Sequence, residues 1–172
     1  MELFTNEKFY NPTKGSMDLP EVMEEMIRYM REIPHRNYEV IVGCDSSATE
    51  EPTFPVVIVI LRHGQGGRVF LRRVHYPAPR KFYNRHDRVL EEVLLSCQLA
   101  LWLRENFSAR VAEERELQYT FQYIHADIGE NGATKDMVKE VTGLIRGNGF
   151  LPKIKPEAFA ASTVADRYSL IK

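Results

Sequence analysis

The sequence has 172 residues, of which 44% are hydrophobic and 27% are charged, and its formal net charge is −1 at pH 7. This composition excludes a disordered or fibrous chain and predicts one globular domain over residues 1–172. The near-neutral charge argues against a protein that coats nucleic acid through its overall field. The longest apolar run, residues 55–61, is too short to cross a bilayer, and no apolar signal core lies near the start. We therefore expect no membrane role. Cys44 and Cys97 form no motif, which favours a reducing cytoplasm.

The first half of the chain predicts one helix and three strands. A helix at about 19–33 follows an aspartate suited to N-capping and has one apolar face, so it should cover a sheet. Strands are predicted at 38–45, 55–62 and 68–76. The last two are joined by Gly64-Gln65-Gly66-Gly67, whose glycines permit positive φ in a hairpin turn. The three strands should therefore be antiparallel neighbours.

The second half alternates helices and strands. A long helix should begin at residue 86 or 87 and end near residue 106, and a strand should follow at 117–127. Thr134 is suited to cap the next helix. A strand at 150–154 contains a proline and therefore belongs at a sheet edge. A last helix should open at Pro156, because proline is tolerated in a first helical turn.

This order of elements predicts an α/β fold with a five-stranded mixed sheet, three antiparallel strands followed by two parallel ones, and helices on both faces. Four acidic residues occupy separate positions along it. Asp45 ends the first strand, Glu92 lies early in the long helix, Asp127 ends the fourth strand, and Asp166 lies in the last helix. Each of them singly has an ordinary structural explanation in a turn or on a helix surface, so only their combination is informative.

Three segments resemble a known family. They are Gly43-Cys44-Asp45-Ser46, residues 125–132, and Lys155 to Ala158 with Ala165-Asp166-Arg167. With the order of elements, these segments resemble the YkuK-like family of bacterial RNase H-like proteins, over about residues 9–172. The resemblance implies an RNase H-like fold in which the first and fourth strands lie side by side.

The resemblance also implies a site for divalent metal ions. Asp45, Glu92, Asp127 and Asp166 would be the catalytic and metal-binding residues, with Asp45 bridging two ions and Asp166 completing the second ion's site. Mg²⁺ or Mn²⁺ is the expected cofactor, because both ions prefer carboxylate oxygens and retain several waters. Two such ions assist phosphodiester hydrolysis by activating water and stabilising the leaving oxygen.

The acid in the long helix is ambiguous, because Glu91 and Glu92 are adjacent. Glu92 shares its helix face with small residues that allow close approach to a sheet, and we choose it. Glu91 is the second choice and a possible neighbour of the site. His125 precedes Asp127 by two residues, so it could orient that carboxylate, which is a simpler role than metal ligation. Ser46 could contact phosphate or satisfy the turn after the first strand.

Basic residues are concentrated between Arg62 and Arg88, where eight of them accompany one acid, Asp87. On charge alone, a solvated hairpin and loop is the simpler interpretation. Phe82 and Tyr83 are the best candidates for stacking on the bases of a single strand. If the stretch faces a phosphate backbone, the expected contacts are Arg72, Arg73, Arg80, Lys81 and Arg85.

Two functional hypotheses follow. The first is a divalent-metal-dependent nuclease that hydrolyses phosphodiester bonds of a structured nucleic acid. The second is a non-catalytic RNase H-fold module that binds nucleic acid or a protein partner, in which the acids are dispensable. Nucleic acid is the expected partner under the first hypothesis and one of two under the second.

Overall fold

A computed structural model describes residue 4, residues 7–76 and residues 80–165. All of its strands belong to one seven-stranded sheet. The strands are β1 (Phe9–Asn11), β2 (Gly15–Met17), β3 (Tyr38–Cys44), β4 (Thr53–Arg62), β5 (Gly67–His75), β6 (Tyr119–His125) and β7 (Leu151–Lys153). Their spatial order is β2-β1-β5-β4-β3-β6-β7.

The centre of the sheet has the predicted topology. β3, β4 and β5 pair antiparallel in succession, and β6 pairs parallel with both β3 and β7. The first and fourth predicted strands are thus neighbours. β7, with its proline, lies at the sheet edge as expected.

The predicted count of five strands is wrong, because a short hairpin adds two. β1 and β2 have three residues each and extend the sheet beyond β5. Asn11 directs the turn between them, since its Oδ1 accepts hydrogen bonds from the backbone N–H groups of Thr13 and Lys14 at 2.9 Å. Three-residue strands are too short to show an alternating pattern, which explains why the sequence did not reveal them.

Three longer α-helices of the described ranges accompany the sheet: α1 (Leu19–Glu32), α2 (Arg85–Val111) and α3 (Val138–Gly147). Asp18 caps α1 in a reciprocal capping box with Glu21, and Asn84 caps α2 by accepting from the N–H of Asp87. The α2 helix therefore begins one residue earlier than predicted and extends further. Within the described ranges, no helix is both long and apolar enough to cross a membrane.

Apolar side chains cover both faces of the sheet. Val40 and Val42 of β3 join the main core with residues of α1, α2 and α3. Ile41, between them, points to the opposite face and packs with Ala160 and Ala165. The unbroken apolar run in β3 is therefore the pattern of a strand buried on both faces.

A short π-helical segment at Ala160–Ala165 covers that opposite face. It begins after the position predicted from Pro156, which lies in a turn. Gly43 of β3 permits its close approach, since a Cβ at this position would lie 2.9 Å from the backbone nitrogen of Ala161. His125 of β6 adds a polar link, because its Nδ1 accepts a hydrogen bond from the N–H of Ala160 at 3.1 Å.

The contact at Gly43 predicts a selective loss of stability. We expect Gly43→Ala to lower the free energy of unfolding by about 1–3 kcal/mol, because the added methyl group must displace backbone atoms. Gly143→Ala is the matched control, since Gly143 lies in α3 and a Cβ added there would have no neighbour within 4 Å. The control should be neutral or stabilising by about 1 kcal/mol. Urea denaturation measures both, and equal midpoints for the two variants would contradict this account.

The burial of His125 should make the stability of the protein depend on pH. Burial, with a smaller contribution from Lys153, lowers the pKa of the imidazole to about 4. The unfolded chain, with a histidine pKa of about 6.5, therefore takes up this proton first as the pH falls. The contribution of neutral His125 to the free energy of unfolding is complete above about pH 6.5. It decreases as the pH falls towards 4, by at most about 1.4 kcal/mol per pH unit.

The test compares wild type with His125→Asn by urea denaturation between pH 7 and pH 4.5. The variant should be less stable at pH 7, because it loses the ring contact with Phe159 at 4.7 Å between centroids. Its deficit should shrink as the pH falls, since asparagine does not titrate. A constant deficit across this range would show that His125 contributes nothing to the pH dependence.

Candidate functional site

Three of the four predicted acids line one open pocket. Asp45 directly follows β3, Asp127 lies two residues beyond β6, and Glu92 projects from α2. The pocket has a volume of about 350 Å³ and opens at the end of the sheet where β3 and β6 finish. Asp166, the fourth predicted acid, lies outside the described residues.

Strand pairing explains why Asp45 and Asp127 meet. β3 and β6 are parallel, with Gly43 opposite His125. Each aspartate follows its member of that pair by two residues, so both emerge at the same end of the sheet. Adjacent strands are about 4.8 Å apart, which brings the two side chains to one pocket.

Glu92 is a buried carboxyl group, with a relative exposure of 6%. Its Oε1 accepts a hydrogen bond from the Ser46 hydroxyl at 2.5 Å. Burial raises the pKa of Glu92 well above its usual value, and the charges of Asp45 and Asp127 raise it further, while Ser46 and Arg88 act in the opposite direction. Burial is therefore the main reason that the charged form of Glu92 is disfavoured, and the two neighbouring aspartates add to this effect.

Glu91 faces different partners. Its Oε1 accepts a hydrogen bond from the Tyr76 hydroxyl, and its Oε2 accepts one from Arg80 Nη2 at 2.8 Å. Glu92, by contrast, lines the pocket with Asp45 and Asp127. The packing of α2 on the sheet thus places Glu92, the preferred candidate, in the pocket. Glu91, the second choice, forms a structural ion pair with Arg80 instead.

Lys155 is a pocket residue that sequence reasoning did not assign to the site. Its Nζ lies 3.2 Å from Asp127 Oδ1, yet that buried oxygen has no hydrogen-bond partner among the described residues. The contact is therefore an ion pair without hydrogen-bond geometry. Lys155 N–H also donates to the carbonyl of Ile128 at 2.8 Å, which fixes its backbone beside the pocket. Its position in one of the family-like segments was the available signal.

The loop after Asp127 is stabilised by Thr134. The expected helix cap is wrong, since the Thr134 side chain makes no capping hydrogen bond. Its Oγ1 instead accepts a hydrogen bond from the N–H of Gly129 at 3.1 Å. This bond closes the acidic-glycine loop, and Asn131, Gly132 and Thr134 line the pocket together with Glu92.

The described contacts of His125 are with the last helical segment and not with Asp127. Its side chain is 1% exposed, its Nδ1 accepts from Ala160, and its Nε2 has no partner in the described part of the chain. These contacts link β6 to the last helical segment. None of these contacts corresponds to the predicted role of His125 in orienting Asp127.

The basic residues between Arg62 and Arg88 fall into two groups, structural residues in the interior and exposed residues. Arg62 is 7% exposed and donates hydrogen bonds to the Tyr38 hydroxyl and the Tyr29 carbonyl, so it belongs to the protein interior. Several proposed nucleic-acid contacts also have acidic partners. These pairs are Arg72 with Glu7, Arg80 with Glu91, and Lys81 with Glu50.

Arg85 and Arg88 are the basic residues of this stretch that line the pocket. Neither has an ion-pair partner within the described ranges. Arg73, the remaining candidate, lies on β5 opposite Pro55. Arg88 was missed as a candidate contact, although its spacing of four residues from Glu92 places the two on one helix face.

The chemistry of the pocket suits a divalent cation. Three carboxylates supply hard oxygen donors, and Asp127 Oδ1 is a buried acceptor without a hydrogen-bond donor in the described ranges. Within those ranges, however, no three His, Cys, Asp or Glu side chains are already grouped closely enough to hold a metal ion. Mg²⁺ and Mn²⁺ commonly keep several waters, so they do not require a complete protein cage.

Comparison with known proteins agrees with this architecture. Residues 21–170 match the family model described as Ribonuclease H-like. The chain is also 26% identical over 168 residues to the uncharacterized protein YkuK of Bacillus subtilis (strain 168), covering 94% of this chain and 96% of that protein. No solved structure matches significantly. The chain belongs to the Ribonuclease H-like family and is similar to YkuK over nearly its whole length.

Proposed function

We propose that the protein is a divalent-metal-dependent nuclease that hydrolyses phosphodiester bonds of nucleic acid. The observation that carries this proposal is the convergence of Asp45, Glu92 and Asp127, from three separate elements, on one open pocket lined by Arg85 and Arg88. Carboxylates can hold the cations that assist phosphodiester hydrolysis, and guanidinium groups bind phosphate well.

The carboxylates would hold Mg²⁺ or Mn²⁺. Asp45, Glu92 and Asp127 are the proposed ligands in the described residues, and Asp166 is the fourth, from the family resemblance. When bound, two such ions supply an activated water and positive charge at the leaving oxygen. Ser46 holds the Glu92 carboxyl group by its 2.5 Å hydrogen bond and thereby orients it in the pocket.

Electrostatics support a cationic ligand. The raised pKa of Glu92 reports the cost of burying its charge beside Asp45 and Asp127. A bound cation relieves this cost, because it compensates the buried charge directly. Arg85 and Arg88, at the same pocket, would attract the phosphate groups of the substrate.

A non-catalytic module that binds nucleic acid is the second candidate. Two observations favour it: no three potential ligands of the described chain are already grouped for a metal, and Lys155 gives Asp127 a cationic partner from within the protein. Such a module would bind nucleic acid in a salt-sensitive manner without metal. Substitution of Asp45 or Asp127 by asparagine would leave that binding intact.

The first prediction of this proposal concerns metal binding. In calorimetric titration of chelator-treated protein with Mn²⁺, we expect Asp45→Asn, Glu92→Gln and Asp127→Asn each to weaken binding at least about tenfold, since each removes one charged ligand. Asp136→Asn and Glu91→Gln are matched controls outside the pocket and should bind like wild type. Circular dichroism should show that every variant folds.

The same variants test catalysis. With Mn²⁺ and a mixture of single-stranded, duplex, hybrid and branched oligonucleotides, wild type should cleave at least one substrate. Asp45→Asn and Asp127→Asn should reduce the rate by about a hundredfold or more, because the ions that stabilise the transition state are lost. Cleavage at the wild-type rate by both folded variants would exclude the proposed mechanism.

The third prediction concerns Lys155. Lys155→Met should tighten Mn²⁺ binding about 1.4- to fivefold, because it removes a competing cation worth about 0.2–1 kcal/mol as a partly exposed ion pair. Lys135→Met is the control, since Lys135 is exposed and does not line the pocket. Weaker Mn²⁺ binding in Lys155→Met but not in the control would show that Lys155 supports the metal site instead of competing with it.

A further inference from the structure

We propose that this protein binds single-stranded nucleic acid, with an unpaired base stacked on the ring of Tyr83 and the adjoining phosphates at Arg85 and Arg88. The inference rests on the proposed function, whose substrate class it narrows. It begins from the contrast between two neighbouring aromatic residues. Phe82 is 5% exposed and belongs to the core, whereas Tyr83 is 71% exposed.

The residue before Tyr83 is firmly anchored. The N–H of Phe82 donates a hydrogen bond to the Glu50 carbonyl at 2.8 Å. Its ring packs against Phe54 in a T-shaped contact, with 5.1 Å between the ring centroids. The chain therefore enters position 83 from a fixed point in the interior.

The residue after Tyr83 is equally constrained. Asn84 caps α2, and its Oδ1 accepts a hydrogen bond from the N–H of Asp87 at 2.9 Å. Tyr83 is thus a single exposed aromatic residue between a buried anchor and a capped helix start. An exposed ring on a fixed backbone suits ligand binding, because little backbone freedom remains to be lost when a ligand stacks on it.

The surrounding charge favours a polyanion. Residues 80–88 contain four basic residues and one acid. Two of the basic residues have acidic partners, namely Arg80 with Glu91 and Lys81 with Glu50. Arg85 and Arg88 follow Tyr83 by two and five residues and line the acidic pocket. A strand that stacks on Tyr83 could therefore continue along these two guanidinium groups towards the carboxylates.

Stacking on an exposed side chain selects unpaired bases. In a duplex the base faces are covered by neighbouring base pairs, and only the ends are accessible. A single strand presents every base face, and stacking is tolerant of sequence because each base has a π-face. The contact does not involve the 2′-hydroxyl group, so the ligand class includes both single-stranded DNA and single-stranded RNA.

Fluorescence anisotropy with labelled oligo-dT, oligo-U and a duplex of equal length tests the proposal, in chelator so that no cleavage occurs. Wild type should bind the single strands more tightly than the duplex. Tyr83→Ala should weaken single-strand binding about tenfold, which corresponds to the loss of one stacked base. Tyr83→Trp should retain the affinity. If Tyr83→Ala loses affinity for only one of oligo-dT and oligo-U, the result would support the site and show which nucleic acid it binds.

Tyr10→Ala is the matched control, since Tyr10 is the other exposed tyrosine of the described chain, with an exposure of 43%. It lies on β1, and strands β5 and β4 separate β1 from β3, the strand that leads to the pocket. The proposal is overturned if Tyr83→Ala binds like wild type, if Tyr10→Ala loses as much, if wild type prefers the duplex, or if no single strand binds. The anisotropy measurements contain no metal, so their failure would not bear on the nuclease proposal. That proposal is tested separately by the Mn²⁺ titration of the carboxylate variants.

Discussion

The parallel pairing of β3 with β6 is the constraint on which the candidate site depends. It joins two strands that are far apart in the chain and sets Gly43 opposite His125. Because the register is fixed, Asp45 and Asp127 emerge at one end of the sheet. A shift of one residue would turn the side chains of either strand to the opposite face and separate the two carboxylates.

Both faces of this strand pair must be covered, and each cover adds something to the site. On one face α2 packs against β3 and carries Glu92 and Arg88 to the pocket. On the other face the segment Ala160–Ala165 approaches so closely that only glycine fits at position 43. The site is consequently built from the same contacts that stabilise the sheet, while its buried carboxyl group at Glu92 opposes stability.

The sequence predicted most of the architecture and part of the site. Long periodic elements were found because their patterns extend over several turns or strand residues. The antiparallel order of β3, β4 and β5 followed from them, whereas the pairing of β3 with β6 was implied by the family resemblance. The β1–β2 hairpin was missed, since its strands are too short to carry a pattern. Thr134 was misassigned because a threonine before a helix has the same sequence signal whether it caps the helix or, as here, closes the preceding loop. Lys155 lies near the acids only after folding, whereas Arg88 was overlooked although it lies one helical turn from Glu92.

The sequence by itself determined the longer strands and helices, because periodicity and capping are local properties of the chain. It also placed acids at the ends of two strands and within one helix. Only the tertiary structure decided which side chains share a pocket. Glu91 and Glu92 are adjacent in sequence, yet they project about 100° apart around α2, so the rotation of that helix against the sheet directs Glu92 to Asp45 and Glu91 to Arg80. The reason is physical: long-range packing sets the rotation of a helix, and no local pattern records it unambiguously.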